Sequence, residues 1–200
     1  NVPVRIINTH AGVTSGGGPT HYNIMDLAIM RNLPNMTVIA PSDSAQCIKA
    51  IRATLEYPGP VCIRIARGAE PAVYTTEDYP YEVGKAILAL DGTDVTVIAA
   101  GSTVAMAISA ANGLAAEGIS VRVLDMHTIK PIDRDAIIAA ARQTGAIITA
   151  EDHLVVGGLG SAVAEVIADE NLNTKFRRLG IPDNDFPPLG DCYELYAHMG

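Results

Sequence analysis

The sequence contains few large aromatic residues and no tryptophan. Its 200 residues include two phenylalanines and seven tyrosines, although 48% of the residues are hydrophobic. Alanine, isoleucine and valine therefore supply most of the apolar volume. That composition is typical of parallel strands buried on both faces and covered by alanine-rich helices. The length allows one sizeable core or two smaller ones.

Cysteine is also scarce, and its three positions, Cys47, Cys62 and Cys192, are far apart in the chain. An odd number of separated cysteines without a CxxC pair argues against a disulfide framework and fits a reducing compartment. We therefore expect a cytoplasmic protein in which Cys47 and Cys62 are small core residues. Cysteine and histidine form no cluster with zinc spacing, so no metal ligand is assigned.

Positive charge is in deficit, because 14 Lys and Arg stand against 22 Asp and Glu, for a formal net charge of −8. This balance gives no basic footprint for nucleic acid. No apolar run is long enough to span a membrane, and no secretory signal is visible. GxSxG, P-loop and GxGxxG motifs are absent as well. The chain opens on Asn1, and we expect a fragment or split chain with an upstream part elsewhere.

Apolar strand patterns alternate with helical patterns over the first part of the chain. This β-α-β-α-β order with short connections predicts a parallel, doubly wound sheet. A polar segment with prolines, residues 71–81, then interrupts the pattern, and we interpret it as an interdomain linker. The predicted strands are 4–8, 37–40 and 61–66, and the predicted helices are 24–31 and 42–56.

A second βα series follows this linker. The fold class is therefore predicted as α/β with two domains, residues 1–70 and 82–200, each a mainly parallel sheet with helices on both faces. The predicted strands of the second domain are 82–90 (an edge strand), 95–100, 121–124, 146–150 and 175–180. Its predicted helices are 101–117, 133–143, 157–170 and a last one that begins near residue 193.

The connection between the first strand and the first helix is the most informative segment. It carries His10 and His21, with three consecutive glycines, Gly16–Gly18, between them. A βα connection usually has only a few residues, so this one is long for its place. Long loops of this kind lie at the carboxyl ends of parallel strands, where ligands bind. An imidazole there can exchange protons near neutral pH.

Arg67 follows the third predicted strand. If the three strands are parallel, His10, His21 and Arg67 share one rim of the sheet, and arginine can grip a phosphate or carboxylate with two hydrogen bonds. Arg64 points to the opposite face of the same strand and is expected to be structural. The alternatives to a site are a mobile surface loop around the histidines and a surface salt bridge at Arg67.

A second candidate is Glu151-Asp152-His153, followed by the Gly-rich turn Gly157–Gly160. The turn could be a weak anion cradle, but a Gly-rich turn between strand and helix is more often a packing device, and we favour packing. His127 is expected to cap a strand or to face an interface, and His198 is expected to be exposed.

Several segments, taken in order, resemble the transketolase family of thiamine-diphosphate enzymes. The likeness covers essentially the whole chain, and the order and spacing of its modest motifs are together specific. The segments are Thr9-His10, Gly18–His21, Asp26–Arg31, Leu33–Asp43, Arg64–Gly68, Tyr81–Ala86, His127–Asp133 and Glu151–Glu165.

The resemblance implies that residues 1–70 are the end of a pyrimidine-binding domain and residues 82–200 a three-layer αβα C-terminal domain. It implies a transferase of carbohydrate metabolism that moves a two-carbon ketol unit from a ketose phosphate to an aldose phosphate, as in the pentose phosphate pathway. By this likeness, His21 is catalytic, lying over the cofactor and assisting proton transfers. His10 and Arg67 bind the phosphate or the far hydroxyls of the sugar.

The cofactors implied are thiamine diphosphate and Mg²⁺, and the residues that hold them are expected upstream of residue 1 or on a partner chain. The partners implied are sugar phosphate substrates and either a second copy, in a homodimer, or an N-terminal thiamine-diphosphate-binding chain, in a heterotetramer. Neither nucleic acid nor a membrane is expected as a partner.

Four positions depart from the family pattern. Gly16-Gly17 stands where sugar transketolases usually carry an acidic pair, whose Asp binds a substrate hydroxyl, so a specialised substrate or a loss of activity is implied. Tyr22 replaces a usual glutamine, and Met25 replaces a common acidic residue. A 1-deoxy-D-xylulose-5-phosphate synthase, a 2-oxo acid dehydrogenase beta chain and a catalytically silent assembly subunit remain as alternatives.

Overall fold

The computed structural model describes residues 2–14, 17–67, 71–75, 79–184 and 186–199. Two sheets flanked by helices account for most of these residues. The strands are β1 (Arg5–Ala11), β2 (Thr37–Ile39), β3 (Val61–Ala66), β4 (Ile87–Leu90), β5 (Val95–Ala99), β6 (Val121–Asp125), β7 (Thr128–Lys130), β8 (Ala146–Leu154) and β9 (Lys175–Ile181). The helices are α1 (Asp26–Asn32), α2 (Ser44–Thr54), α3 (Thr103–Ala115), α4 (Arg134–Thr144), α5 (Leu159–Asp169) and α6 (Cys192–Met199).

The first sheet has the order β1-β3-β2-β7. Strands β1 and β2 both pair with β3 in parallel, as the β-α-β-α-β pattern predicts. Strand β7 comes from the second half of the chain (residues 82–200) and pairs antiparallel with β2, placing Lys130 opposite Val38. The sequence pattern predicts a loop there, because three residues are too few for a periodicity signal.

The second sheet has the order β4-β6-β5-β8-β9. Strands β5, β6, β8 and β9 pair in parallel, and β4 lies antiparallel on the outside of β6 as the predicted edge strand. Strand β8 continues to Leu154, so Glu151, Asp152 and His153 lie within the strand, whereas the sequence pattern places them after it. The mixed α/β class with two mainly parallel sheets is confirmed.

The two halves of the chain share an apolar core. Val38 and Cys62 of the first sheet lie in the same buried cluster as Ile98, Ile137 and Leu159 of the second half. Cys62 is therefore a core residue as expected, whereas Cys47 is only half-buried. Sharing a core fixes the first sheet against the second half, and this matters for the loop described below.

The connection between the halves is held by two buried carboxylates. Asp43 caps the N-terminus of α2 through Gln46 N–H and also accepts hydrogen bonds from the main chain of Val73 and Tyr74. The Tyr74 hydroxyl donates to Asp125 Oδ2 over 2.7 Å. Burial raises the pKa of Asp125 to about 6. Residues 68–70 and 76–78 of this connection lie outside the described residues.

Candidate active site

His10 lies at the carboxyl end of β1, in an irregular part of the strand. The pairing register between β1 and β3 shifts between Asn8 and Ala11, and His10 has a φ angle of 61°. Left-handed residues in bulges re-aim a side chain relative to a regular strand. The imidazole is exposed, with Nδ1 3.0 Å from Thr9 Oγ1.

Arg67 lies at the neighbouring strand end, because β3 pairs with β1 and places Ala66 opposite Ala11. Its main-chain N–H donates to Thr14 Oγ1 over 3.0 Å, and the Thr14 hydroxyl donates to the Ala11 carbonyl over 3.1 Å. Thr14 thus joins the start of the glycine loop to the end of β3. The guanidinium-bearing side chain of Arg67 is exposed. Gly68 lies outside the described residues.

His21 ends a short 3₁₀ turn, Pro19–His21, and its N–H donates to the Gly18 carbonyl over 2.8 Å. Its Nδ1 lies 2.9 Å from Thr20 Oγ1, and the side chain is exposed. Ser15 and Gly16 lie outside the described residues. Of the three consecutive glycines, the structure therefore describes Gly17 and Gly18.

The loop has a first limb, at Gly12 and Val13, and a last limb, at Tyr22 and Asn23, and the two limbs come together after the turn. Gly12 N–H donates to the Asn23 carbonyl over 2.8 Å, and Asn23 forms an isolated bridge with Ala11. The structure therefore brings His10, His21 and Arg67 to one rim of the first sheet. Parallel pairing places His10 and Arg67 at this rim, and the bridge at Asn23 brings back the part of the loop that follows His21.

Beneath the loop lies a buried polar network. Arg64 Nε lies 2.9 Å from Asp26 Oδ2, and the two side chains are only 4% and 5% exposed. Asn8 Nδ2 donates to the same Asp26 oxygen over 2.8 Å, and Asn23 Nδ2 donates to Asn8 Oδ1 over 3.0 Å. Arg64 Nη2 also donates to the Asp152 carbonyl. Arg64 is therefore structural, as expected, and the network fixes the base of the loop.

Asp152 holds the first limb of the loop from the second half of the chain. Its carboxylate accepts the Val13 N–H over 3.1 and 3.2 Å. A Cβ atom on Gly12 would lie 1.6 Å from Asp152 Oδ2, so only glycine fits at that position. Sequence reasoning named Asp152 only within the second candidate site and did not predict the roles of Asn8 and Asp26. The only local sign of this network in the sequence was Asp26 in the first turn of α1, because acidic residues are favoured at helix N-termini.

Glu151 fills the Gly-rich turn that could have been an anion cradle. Its carboxylate accepts the N–H groups of Leu159 and Gly160, over 2.6 and 2.8 Å, at the start of α5. Burial raises the pKa of Glu151 to about 7, although these two hydrogen bonds act in the opposite direction. A Cβ atom on Gly158 would lie 1.9 Å from Glu151 Oε2. The protein's own carboxylate occupies this helix N-terminus, so the turn is a packing device.

The other three histidines are His127, His153 and His198. His153 is fully buried, and its Nε2 accepts the Ala28 N–H over 3.2 Å, which ties β8 to the start of α1. His127 is also buried, with its ring stacked on Tyr81 at 4.3 Å, and burial lowers its pKa to about 4. His198 is exposed on α6, as expected.

The implied cofactors require a metal site with oxygen ligands, because Mg²⁺ takes carboxylates together with phosphate oxygens. Within the described residues, no group of three or more His, Cys, Asp or Glu side chains is arranged to hold a metal ion. No helix in the described ranges is long and apolar enough to cross a membrane.

The sequence matches two domains of one protein family along nearly its whole length. Residues 1–71 match the transketolase pyrimidine-binding domain, and residues 84–200 match the transketolase C-terminal domain. The chain belongs to the transketolase family. Transketolases and 1-deoxy-D-xylulose-5-phosphate synthases are thiamine-diphosphate enzymes.

Relatives include enzyme subunits that are longer than this chain. It is 42% identical over 98% of its length to one subunit of an apulose-4-phosphate transketolase from Phocaeicola vulgatus and covers 62% of that subunit. It is 44% identical over 90% of its length to a 6-deoxy-6-sulfo-D-fructose transketolase subunit from a Clostridium species and covers 56% of it. A 1-deoxy-D-xylulose-5-phosphate synthase from Geobacter sulfurreducens is 39% identical over 100% of the chain, which spans 32% of that enzyme.

A solved structure described as a split gene transketolase, inactive beta4 tetramer, has the same fold. Its TM-score is 0.85 at 44% identity, over 96% of this chain and 61% of that one. The chain thus spans about three fifths of the length of that split-gene chain.

Proposed function

We propose that this chain is part of the second subunit of a split transketolase, which transfers a two-carbon ketol unit from a ketose phosphate to an aldose phosphate. One observation carries the proposal: Thr14 joins the end of β3 to the glycine loop, so that Arg67 and His10 lie at one rim with the turn that carries His21. Such a rim, at the carboxyl ends of parallel strands, is where α/β proteins bind ligands.

In this proposal His21 is the catalytic residue. Its imidazole is exposed at the rim and exchanges protons with substrate oxygens as the ketol unit is released and accepted. Thiamine diphosphate, when bound, supplies the carbon nucleophile that carries the ketol unit. We assign that cofactor and Mg²⁺ to the upstream part of the subunit and to a partner chain.

His10 and Arg67 bind the far end of the sugar in this proposal. A guanidinium forms strong paired hydrogen bonds with a phosphate, and both side chains are exposed on the same rim. The substrates named for two relatives, apulose-4-phosphate and 6-deoxy-6-sulfo-D-fructose, each carry an anionic group. A sugar with an anionic tail is therefore the proposed substrate class.

The proposed assembly is a heterotetramer with an N-terminal thiamine-diphosphate-binding chain. Two relatives are named as subunits, and the split-gene structure is described as an inactive tetramer of one chain type. An assembly without its partner is expected to be inactive if the partner supplies the cofactor site. The three cysteines are unpaired, which fits the cytoplasmic location proposed from the sequence.

A second candidate is the 1-deoxy-D-xylulose-5-phosphate synthase reaction, which the 39% identity to such an enzyme favours. The two functions differ in the donor, because the synthase takes pyruvate and a transketolase takes a ketose. The full-length subunit with its N-terminal partner should be assayed with an aldose phosphate as acceptor and with either xylulose 5-phosphate or pyruvate as donor. Turnover only with pyruvate would favour the synthase. Turnover with neither donor would favour a specialised ketose or a silent assembly subunit, and apulose 4-phosphate and 6-deoxy-6-sulfo-D-fructose as donors separate these two outcomes.

The same assembly tests the role of His21. His21→Ala is expected to lower ketol transfer by about 100-fold or more, which is the usual contribution of a general acid–base. His198→Ala is the matched control, since His198 is an exposed histidine on α6. Equal rates in the wild type and His21→Ala would overturn the assignment.

A further inference from the structure

Tyr22 directly follows the turn that carries His21, and its ring is inserted into the second half of the chain. The residue is only 8% exposed and lies in a buried cluster with Val13 and Ile24 of the first half. Ile181 and Leu195 complete this cluster from β9 and α6. The residue next to the proposed catalytic histidine is thus anchored in the other domain.

A second set of contacts joins the turn to the segment Pro187–Gly190, which precedes α6. The Tyr22 hydroxyl donates to the Pro188 carbonyl over 2.9 Å. At the other end of the turn, a Cβ atom on Gly18 would lie 3.0 Å from Leu189 Cδ1. Both ends of Pro19–His21 therefore contact the same short segment of the second half.

We propose that Tyr22 is a positioning residue for His21. Tyr22 ties the 3₁₀ turn to Pro187–Gly190, and through this contact the C-terminal domain sets the orientation of the catalytic imidazole. The proposal rests on the proposed function, because it assigns a role in ketol transfer. The contact of Tyr22 with Pro187–Gly190, here called the tether, is a property of the fold and can be tested separately from activity.

The turn needs such support for a physical reason. A 3₁₀ turn of three residues has poor hydrogen-bond geometry, and the bond that closes this one runs from His21 N–H to the Gly18 carbonyl. A turn this short cannot hold itself in one conformation without tertiary packing. Asp152 already fixes the first limb at Val13. Tyr22 fixes the last limb, so the second half holds the loop at both ends.

Tyr22→Phe is the variant of choice, because it removes the hydroxyl and keeps the buried ring. Pro188 is exposed, so its carbonyl can turn to water and no buried polar group is left unpaired. The fold should therefore survive the change. Tyr193→Phe is the matched control, because it makes the same chemical change on a ring that is 63% exposed on α6.

The first measurement is hydrogen exchange of the His21 amide in the full-length subunit. Loss of one tethering hydrogen bond should speed this exchange by about 2- to 10-fold in Tyr22→Phe and leave it unchanged in Tyr193→Phe. Leu189→Ala, which removes the other contact, should act in the same direction. The NMR signal of the His21 imidazole should shift in Tyr22→Phe, whereas those of the buried His127 and His153 should not.

The second measurement is steady-state ketol transfer by the assembled enzyme. Tyr22→Phe should lower kcat by about 2- to 10-fold with little change in the KM of the ketose, because His10 and Arg67 are held by β1, β3 and Thr14. A local change in the His21 signal, together with an unaltered thermal midpoint, separates this effect from partial unfolding.

The outcomes distinguish the two proposals. Unchanged exchange and an unchanged imidazole signal in Tyr22→Phe would overturn the tether, whatever the activity. Faster exchange with unchanged kcat would overturn its role in the reaction. No ketol transfer by the wild-type assembly would overturn the proposed function and with it the catalytic meaning of Tyr22, even where exchange shows that the tether exists.

Discussion

The imidazole of His21 occupies the space that a side chain on residue 17 would need. A Cβ atom built on Gly17 would lie 2.7 Å from Cγ and 2.8 Å from Cβ of His21. These atoms are at the root of the histidine side chain, so a small change of its far end cannot relieve the contact. The resemblance to sugar transketolases implies an acid at this place in the loop, and in this chain an acid at position 17 and the present orientation of His21 exclude each other.

Gly17→Ala is therefore expected to displace the turn that carries His21. Displacement of a catalytic group by about 1 Å can cost about 100-fold in rate, so kcat of the assembled enzyme should fall by about 10- to 100-fold. Gly113→Ala is the control, because nothing lies within 4 Å of a Cβ atom at this position in α3. That change should leave kcat intact and stabilise the fold by about 1 kcal/mol. Equal kcat values for both variants would contradict the coupling.

Arg67→Ala should weaken substrate binding and spare the chemical step. Loss of charge-assisted hydrogen bonds to a phosphate should raise the KM of a phosphorylated ketose by about 10- to 100-fold, with kcat nearly unchanged. A donor without the phosphate should show no comparable increase. Arg177→Ala, at an exposed arginine on β9, is the control and should alter neither constant. A loss of kcat alone would show that Arg67 does not bind the phosphate.

Arg64→Met should destabilise the fold strongly, because it leaves Asp26 buried without its cation. Breaking a buried ion pair by removing one partner costs about 3–5 kcal/mol, which urea unfolding of the full-length subunit can measure. The double variant Asp26→Ala with Arg64→Met should recover part of that loss. Arg122→Met is the control, since its partner Asp91 is 72% exposed. If Arg64→Met and Arg122→Met unfold at the same urea concentration, the Arg64 network is not a major source of stability.

His127 should make stability depend on pH below neutrality. Burial lowers its pKa from 6.5 to about 4 in the folded protein. Below pH 6.5 the unfolded chain takes up a proton at His127 that the folded chain does not bind, so the contribution of this residue to stability falls as the pH drops towards 4. At pH 5 the loss relative to neutral pH should be about 2 kcal/mol from this residue.

Urea unfolding at about pH 5 and about pH 7.5 tests this dependence. His127→Phe keeps a ring against Tyr81 and removes the titrating group, so it should flatten the pH profile by that amount. Burial also lowers the pKa of His153 and raises those of Asp125 and Glu151, and these groups act in opposite directions on the slope. The difference between the wild-type and variant profiles therefore measures the contribution of His127. An identical profile in the wild type and His127→Phe would show that His127 does not contribute.

Local patterns in the sequence were sufficient to predict most of the secondary structure. The alternation of apolar strands with helical segments predicted β1, β2 and β3 and their parallel order. Parallel order alone then placed His10 and Arg67 at one rim, because parallel strands end on the same side of a sheet. The cap that Asp43 forms on α2 likewise depends only on residues within one turn.

Contacts between distant segments were decided only by the tertiary structure. Tyr22 and Pro188 are 166 positions apart, and Val13 and Asp152 are 139 apart. Strand β7 likewise joins the first sheet from the second half of the chain. Periodicity, capping and turn preferences act over a few residues and carry no signal for such pairs. The sequence by itself determined which residues could do chemistry at the rim, and packing between the two halves determined how the loop that carries them is held.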